Sequence, residues 1–221
     1  MFKSWILAFA IKGGQVMSIL FLFVVGAYPQ DVLNGCPMEG NAKSEALKES
    51  NKLKNRWNLP EAEDFDSSIT IDKLLEEGDD TDRFSANTAV TIVGYIVDVK
   101  PGGKETCNCK SGNPLYTDTH IEVSPELESE LTPDKNIRGQ VLITEVTPRI
   151  RIKKLEEGID WNTKVLRKWI GKKVRIEGWL FKDKIHALES DNLDPKNNKG
   201  RKNWRTTIWE VHPITKMEEV E

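Results

Sequence analysis

The sequence predicts a mainly β protein with helices, in which five strands close a small barrel behind a short helical extension. Three observations support this class. Five segments are rich in β-branched and aromatic residues and alternate apolar with polar positions, as strands do. One amphipathic segment lies between the third strand and the fourth. The first and fourth strands each contain a central glycine, Gly94 and Gly178, which allows a strand to bend at a barrel corner.

The chain has 221 residues, of which 38% are hydrophobic and 30% are charged, enough for one ordinary domain with extensions. Its formal net charge of -3 argues against binding to duplex DNA. The charge is unevenly distributed, because residues 28–87 contain 7 Lys and Arg against 14 Asp and Glu, and residues 88–221 contain 23 against 21. The chain is therefore divided into an acidic N-terminal extension and a nearly neutral main domain.

Residues 1–27 have the features of a signal peptide. They contain Lys3 and Lys12 but no acidic residue, then a short apolar run and a Val-Gly-Ala sequence that ends at Ala27. The apolar run, residues 19–25, is shorter than a helix that spans a bilayer. We expect export to the periplasm or the medium with cleavage after Ala27. The alternative is an uncleaved N-terminal anchor, which would then be the only contact with a membrane.

The acidic extension, residues 28–87, is predicted to be helical. Residues 43–56 follow a helical pattern with few apolar positions, so this helix is expected on the surface of the main domain. Residues 70–78 predict a second, short helix, in which Thr70 suits the N-cap and Gly78 suits the C-terminal cap.

The main domain, residues 88–221, contains the five predicted strands and a helix. In chain order these are strand 89–100, strand 117–123, strand 140–152, helix 160–170, strand 172–181 and strand 205–220. The third strand contains Pro148, where we expect an interruption. Three strands, a helix and two strands is the order of the OB-fold, a five-stranded Greek-key barrel. The predicted class is therefore an OB-like barrel (β-β-β-α-β-β) preceded by a short helical extension.

The chain has three cysteines, Cys36, Cys107 and Cys109. In an exported protein this odd number implies one disulfide and one free thiol, or an intermolecular partner. A bridge between Cys107 and Cys109 would be strained, so we expect Cys36 to pair with one of them. Structural zinc sites usually need a second pair of Cys or His at short spacing, which is absent from the sequence around Cys107 and Cys109.

The sequence contains none of the strong enzyme signatures that we sought. A phosphate-binding glycine loop, HExxH, GxSxG and an EF-hand loop are all missing. No catalytic residue is therefore assigned, no cofactor is expected, and a role other than catalysis is favoured.

Strand alternation predicts a patch of polar side chains on the outside of the barrel. Glu210 and His212 share one face of the last strand, while Trp209 and Val211 are expected to fill the barrel. In an OB-fold the second, third and fifth strands are neighbours, and this face commonly binds ligands. The polar patch, our candidate ligand-binding site, consists of Asp118, His120, Glu122, Glu145, Arg149, Glu210 and His212.

Three interpretations of the polar patch remain open. It is a solvated face of ion pairs, a surface that binds a polar ligand, or a divalent-metal or acid–base site for zinc or manganese. The main hypothesis is an exported binding module for an oligosaccharide, a peptide or single-stranded nucleic acid. The alternative is a metal-dependent hydrolase such as a nuclease, and a further alternative is a structural envelope protein without catalysis. The expected partner is an unknown polar ligand or a protein.

Trp204 is the best candidate for stacking on a nucleobase or a sugar. It lies in the basic segment 196–205, which contains five Lys and Arg and no acidic residue. Such a segment could contact phosphates, although a charged loop is more often simply solvated.

The segments GCPMEGNAK, GGKETCNC, DTHIEV, TEVTPRIR, GWLF and WEVHPIT together resemble an uncharacterised family of exported bacterial OB-fold-like proteins. The resemblance covers residues 34–221. It implies export and the barrel fold, and it carries over no activity and no catalytic residues.

Overall fold

The computed structural model describes residues 31–127, 140–196 and 203–221. The predicted signal peptide, residues 1–27, lies outside the described residues, so export and cleavage after Ala27 stay predictions. In the described part of the chain, no helix is long and apolar enough to cross a membrane.

Five strands form a closed barrel. They are β3 (Ala89–Pro101), β4 (Thr119–Ser124), β5 (Leu142–Val146), β6 (Lys173–Lys182) and β7 (Trp209–Glu219). Their order around the barrel is β3-β4-β5-β7-β6. Neighbouring strands are antiparallel except β5 and β7, which are parallel, and β6 closes the barrel against β3. Helices lie between the third strand of the barrel and the fourth. The predicted OB-like barrel with helices is therefore confirmed.

The barrel interior is filled by the apolar side chains that alternate along the strands. Ile96, Ile121, Leu142 and Val211 are fully buried there, and the ring of Trp209 joins the same core. Burial of one side chain of this size contributes about 1.5–3 kcal/mol to folding. The prediction that Trp209 and Val211 fill the barrel is confirmed.

The two central glycines allow close approach of neighbouring strands. A Cβ atom on Gly178 would lie 2.4 Å from the carbonyl oxygen of Pro213, and the pairing of β6 with β7 shifts register at this glycine. A Cβ atom on Gly94 would lie 2.6 Å from the carbonyl oxygen of Ser124. Any other residue at these positions would push the strands apart.

The third strand is shorter than predicted, because β5 spans Leu142–Val146 and not residues 140–152. The interruption expected at Pro148 is confirmed. A helix, α3 (Pro148–Glu156), begins immediately after the strand. The hydroxyl of Thr147 accepts a hydrogen bond from the backbone N–H of Ile150, and Pro148 occupies the first turn, where its missing N–H is not needed. The predicted helix over residues 160–170 is also shorter, consisting of α4 (Thr163–Leu166) and a 3₁₀ turn (Arg167–Trp169).

The N-terminal extension contains both predicted helices. They are α1 (Glu45–Asn55) and α2 (Ile71–Leu75), preceded by a small hairpin of β1 (Val32–Leu33) and β2 (Cys36–Pro37). The side chains of Ser44 and Thr70 cap the two helices, as expected for Thr70.

Helix α1 covers the outer face of the barrel, where the polar patch lies, and it does so with polar side chains. Its buried residues are Asn51, Lys54 and Asn55. The amide of Asn55 donates to the carbonyl oxygen of Cys107 at 2.8 Å, and that of Asn51 contacts the hydroxyl of Thr106 at 3.2 Å. The helix is therefore attached by hydrogen bonds rather than by an apolar stripe.

A disulfide fastens the extension to the loop that α1 contacts. It joins Cys36 to Cys109 with an S–S distance of 2.08 Å, while Cys107 is a free and buried thiol. The expectation that Cys36 pairs with one of the two later cysteines is confirmed, and Cys109 is the partner.

Candidate functional site

The site is a cleft between two long loops of the barrel. The loop 102–118 joins β3 to β4, and the loop 183–208, described at residues 183–196 and 203–208, joins β6 to β7. These are the two loops that flank the ligand-binding face in OB-folds. They enclose a cavity of about 510 Å³, floored by β4 and β5 and roofed by α1. A second cavity of about 380 Å³ adjoins it and shares Lys100, His120 and Trp204 as lining residues.

The floor contains two histidines that are linked by one carboxylate. His120 on β4 lies directly across from Glu145 on β5, and its Nδ1 is 3.2 Å from Oε1 of Glu145. On the other side of β5, Nδ1 of His212 lies 3.4 Å from Oε2 of the same carboxylate. The parallel pairing of β5 with β7 therefore joins the polar residues of strands that are distant in the sequence.

Most of this floor is buried, so the polar patch is not the solvated face that one interpretation expected. The exposed fractions are 2% for Asp118, 5% for Glu145 and 0% for His212. Helix α1 and the loop 102–118 provide the cover. Buried ionisable groups must be paired or must shift their pKa values, because removal from water disfavours charge.

The pKa values of the buried residues are strongly displaced. Burial raises the pKa of Asp118 to about 7, and the negative charge of Glu145 acts in the same direction. Burial also opposes ionisation of Glu145, but the charge of His212 and the hydrogen bond with His120 outweigh it and hold its pKa at about 2. Burial would lower the pKa of His212, yet the charge of Glu145 raises it above its ordinary value.

The outer edge of the floor is a half-exposed row of charges. The ammonium of Lys100 and the imidazole of His120 both contact Glu122, at 2.5 and 3.5 Å. Burial would lower the pKa of His120, but its bonds with Glu122 and Glu145 raise it to about 9. The hydrogen bond from His120 lowers the pKa of Glu122 to about 2, against the effect of burial.

A second ionic cluster forms the wall on the side of the loop 183–208. The guanidinium of Arg205 donates to Oδ2 of Asp183 at 3.1 Å and to Oε1 of Glu210 at 2.6 Å. Nδ1 of His186 lies 2.5 Å from the same oxygen of Asp183. This hydrogen bond raises the pKa of His186, with burial acting against it. Glu210 thus faces both Arg205 and His212.

The roof contributes one buried cation, Lys54 of α1. Its ammonium lies 2.5 Å from Oε2 of Glu105 and 5.3 Å from the centre of the Phe181 ring. Burial disfavours its charge, but Glu105 and Glu145 outweigh burial and raise the pKa of Lys54 well above its usual range. The charged roof therefore helps to hold α1 over the acidic floor.

The structure brings six of the seven predicted patch residues together and places the seventh elsewhere. Because the third strand ends before it, Arg149 lies on α3 and not beside Glu145. Its guanidinium donates to Oδ1 of Asn55 at 3.0 Å and to the carbonyl oxygen of Cys36 at 2.9 Å. The prediction that Arg149 belongs to the polar patch was wrong, and the residue instead anchors the extension.

Trp204 lies at the cleft as a half-buried side chain that lines both cavities. Its indole N–H donates to Glu189 at 2.7 Å, and its ring centre is 6.5 Å from that of His120. Residues 197–202 of the basic segment, which include Lys199, Arg201 and Lys202, lie outside the described residues.

Sequence reasoning missed six charged residues of the cleft, of which Lys100 lies on β3 and Lys104 in the loop 102–118. Lys54 and Glu105 come from the extension and the first loop, and Asp183 and Arg205 come from the second loop. Loops and a polar helix carry no alternation, so no local pattern marks these residues. The one signal in the sequence is that Arg205 and Glu210 have opposite charges and are separated by only five positions.

Comparison with known proteins adds no further assignment. The sequence matches no protein-family model, and no curated protein matches it significantly. The resemblance described from its motifs therefore stays a prediction.

Proposed function

We propose that this protein is a binding module for a short, uncharged polar chain, and that an oligosaccharide suits the cleft best. The observation that supports this is the position of Trp204. Its ring stands where two adjoining cavities meet, between the two loops that OB-folds use for ligands. A chain that occupied both cavities would pass directly over or beside this ring.

The charges of the cleft favour a neutral ligand over single-stranded nucleic acid. Three of its basic side chains already contact carboxylates within the site. Lys54 pairs with Glu105, Lys100 with Glu122, and Arg205 with Asp183 and Glu210. Binding of a polyanion requires cations that are available to phosphates. Hydroxyl groups, by contrast, can donate to these carboxylates and accept from these cations without separating the pairs.

Binding is tested by titrating the protein with neutral oligosaccharides, such as cellohexaose and chitohexaose, and with short oligothymidine. Chemical shifts of the Trp204 indole N–H are followed by NMR, and affinities are measured by calorimetry. We expect a neutral sugar to shift this resonance and to bind with little dependence on salt. Replacement Trp204→Ala should weaken binding about tenfold or more, as expected when a central aromatic contact is removed.

Trp169 provides a matched control. Both side chains are half-buried, and both rings have a cation nearby, Arg205 at 5.0 Å from the centre of the Trp204 ring and Lys172 at 5.5 Å from that of Trp169. Trp169, however, lines neither cavity. Trp169→Ala should leave sugar binding unchanged. If only oligothymidine binds, and its affinity falls steeply with salt, the ligand is nucleic acid and the sugar proposal fails. Absence of any shift at Trp204 would also contradict it.

We also propose that the protein works outside the reducing cytoplasm. The pairing of Cys36 with Cys109 supports this, because disulfides persist mainly in oxidising compartments. Expression with residues 1–27 intact, followed by mass spectrometry of the exported protein, should find a chain that begins at Tyr28 and retains the disulfide. Recovery of only the uncleaved, reduced chain in the cytoplasm would contradict the proposal. The alternative of a metal-dependent hydrolase stays a prediction.

A further inference from the structure

Asp118, Glu145 and His212, here called the buried trio, have polar atoms that their ion pairs do not satisfy. Within the described residues, Oδ1 of the aspartate, Oε2 of the glutamate and Nε2 of the histidine are buried and have no hydrogen-bond partner, although Oε2 of the glutamate lies 3.4 Å from Nδ1 of the histidine. Buried polar atoms in proteins almost always have a partner. Three such atoms on neighbouring residues therefore indicate a partner that the protein itself does not supply, either water or a metal ion.

The other polar atom of each trio residue is held by a neighbour. Asn108 donates to Oδ2 of the aspartate at 2.9 Å, Nδ1 of His120 lies 3.2 Å from Oε1 of the glutamate, and Oε2 of Glu210 lies 3.4 Å from Nδ1 of the histidine. Metal-binding histidines and carboxylates are usually oriented by outer partners of this kind. Each trio residue thus has one polar atom oriented by a neighbouring side chain and a second atom that is available to a metal ion.

The geometry and the donor types fit a divalent ion. One possible ligand atom from each trio residue lies within 4.8 Å of those from the other two. Two carboxylates and one imidazole are donors that zinc and manganese accept, and two carboxylates carry the charge that balances a divalent cation. Glu145 also lines the cavity of about 510 Å³, which offers an entry route from solvent.

We propose that Asp118, Glu145 and His212 bind one divalent transition-metal ion, with Zn²⁺ as the best-suited ion. A neighbouring group of Glu105, Cys107 and Asp118 also has three possible ligand atoms within 4.8 Å. There, however, the thiol of Cys107 is itself within hydrogen-bond distance of both carboxylates, at 3.6 and 3.9 Å. Of these two groups, only the trio has on every member a buried atom without a hydrogen-bond partner. This inference does not depend on sugar binding.

The test is a titration of the full-length, metal-stripped protein with Zn²⁺ and Co²⁺, followed by calorimetry and by the visible absorption of Co²⁺. We expect one ion per chain. Asp118→Asn, Glu145→Gln and His212→Gln should each weaken binding by more than about 100-fold, and Asn108→Ala, which removes an outer partner, by about 10–100-fold. Glu177→Gln is the control, because Glu177 pairs with Lys216 on the surface of β6, away from the trio. It should leave the affinity unchanged.

The unsubstituted protein supplies a second measurement if a trio variant fails to fold. Paramagnetic Co²⁺ should broaden the NMR signals of the His212 ring at concentrations that leave those of His186 sharp. Failure to bind one ion, equal broadening of both histidines, or unchanged affinity in folded trio variants would overturn the proposal. A sulfur-to-cobalt charge-transfer band would place the ion on Cys107 and would overturn it as well.

Discussion

The buried guanidinium of Arg205 allows a quantitative test of how the cleft is held together. Its side chain is 1% exposed, and it contacts Asp183 and Glu210, which are themselves 4% exposed. Arg205→Met keeps most of the side-chain volume but leaves both carboxylates buried without this cation. Removal of one partner from a buried ion pair typically costs about 3–5 kcal/mol, because the remaining charge is not compensated.

For a protein of this size a change of 1 kcal/mol moves the melting temperature by about 2–4 °C, so Arg205→Met should lower it by about 6–20 °C. The assay is urea unfolding followed by far-ultraviolet circular dichroism, with thermal melts in parallel. Arg175→Met is the matched control. Arg175 pairs with Glu218 at 2.9 Å, but the two side chains are 45% and 41% exposed. Its replacement should cost only about 0–1 kcal/mol.

A double variant separates lost charge pairing from lost packing. In the double variant Arg205→Met/Glu210→Gln, one of the two carboxylates that lost their cation is replaced by a neutral amide. The double variant should therefore be more stable than the sum of the single changes predicts. Equal losses in Arg205→Met and Arg175→Met, or strict additivity of Arg205→Met and Glu210→Gln, would refute the reasoning.

Three further predictions follow from the fold and the site. Gly178→Ala should destabilise the barrel by about 1–3 kcal/mol in urea unfolding, because the new Cβ would lie 2.4 Å from a carbonyl oxygen. Gly103→Ala is the control and should have little effect, because a Cβ there meets no atom within 4 Å. Equal losses of stability in the two variants would contradict this. An NMR titration should find the pKa of His186 above its ordinary value of 6.5. Its ion pair with Asp183 should therefore stabilise the fold fully below pH 6.5, and this stabilisation should be lost as the pH rises through the pKa of the folded state. Asp183→Asn should return this pKa towards 6.5, and a value unmoved by the substitution would exclude the pair as the cause. Cys107 is buried, and burial raises its pKa, so a maleimide should label this thiol only after denaturation. Rapid labelling of the folded chain would contradict this and would show that the loop 102–118 opens.

The strands were predictable because their signal is local. Alternation assigns each residue of a strand to one face, and Trp209 and Val211 do point into the core while Glu210 and His212 point out of it. The third strand shows where this reasoning ends. The segment around Pro148 continues to alternate, but the hydroxyl of Thr147 and the proline together start a helix, and Arg149 leaves the polar patch as a consequence.

The burial of the polar patch was not predictable from hydropathy. Helix α1 has a thin apolar stripe, and the face it covers is charged, so neither surface looks like an interface. They join through Asn51, Lys54 and Asn55, with the Cys36–Cys109 bridge holding the extension in place. Polar surfaces that match each other atom by atom have no signature in composition or periodicity, since either surface alone resembles one that faces water.

The sequence by itself thus determined the barrel, the division of its strands into two faces, and the assignment of Cys36 to the disulfide. Each of these follows from local alternation or from the number and spacing of residues. The tertiary structure alone decided that Cys109 is the partner, that α1 buries the outer face, and that Glu145 stands between His120 and His212. The physical reason is that contacts between elements distant in the chain depend on loop paths and on the parallel pairing of β5 with β7. Neither leaves a periodic trace in the residues themselves.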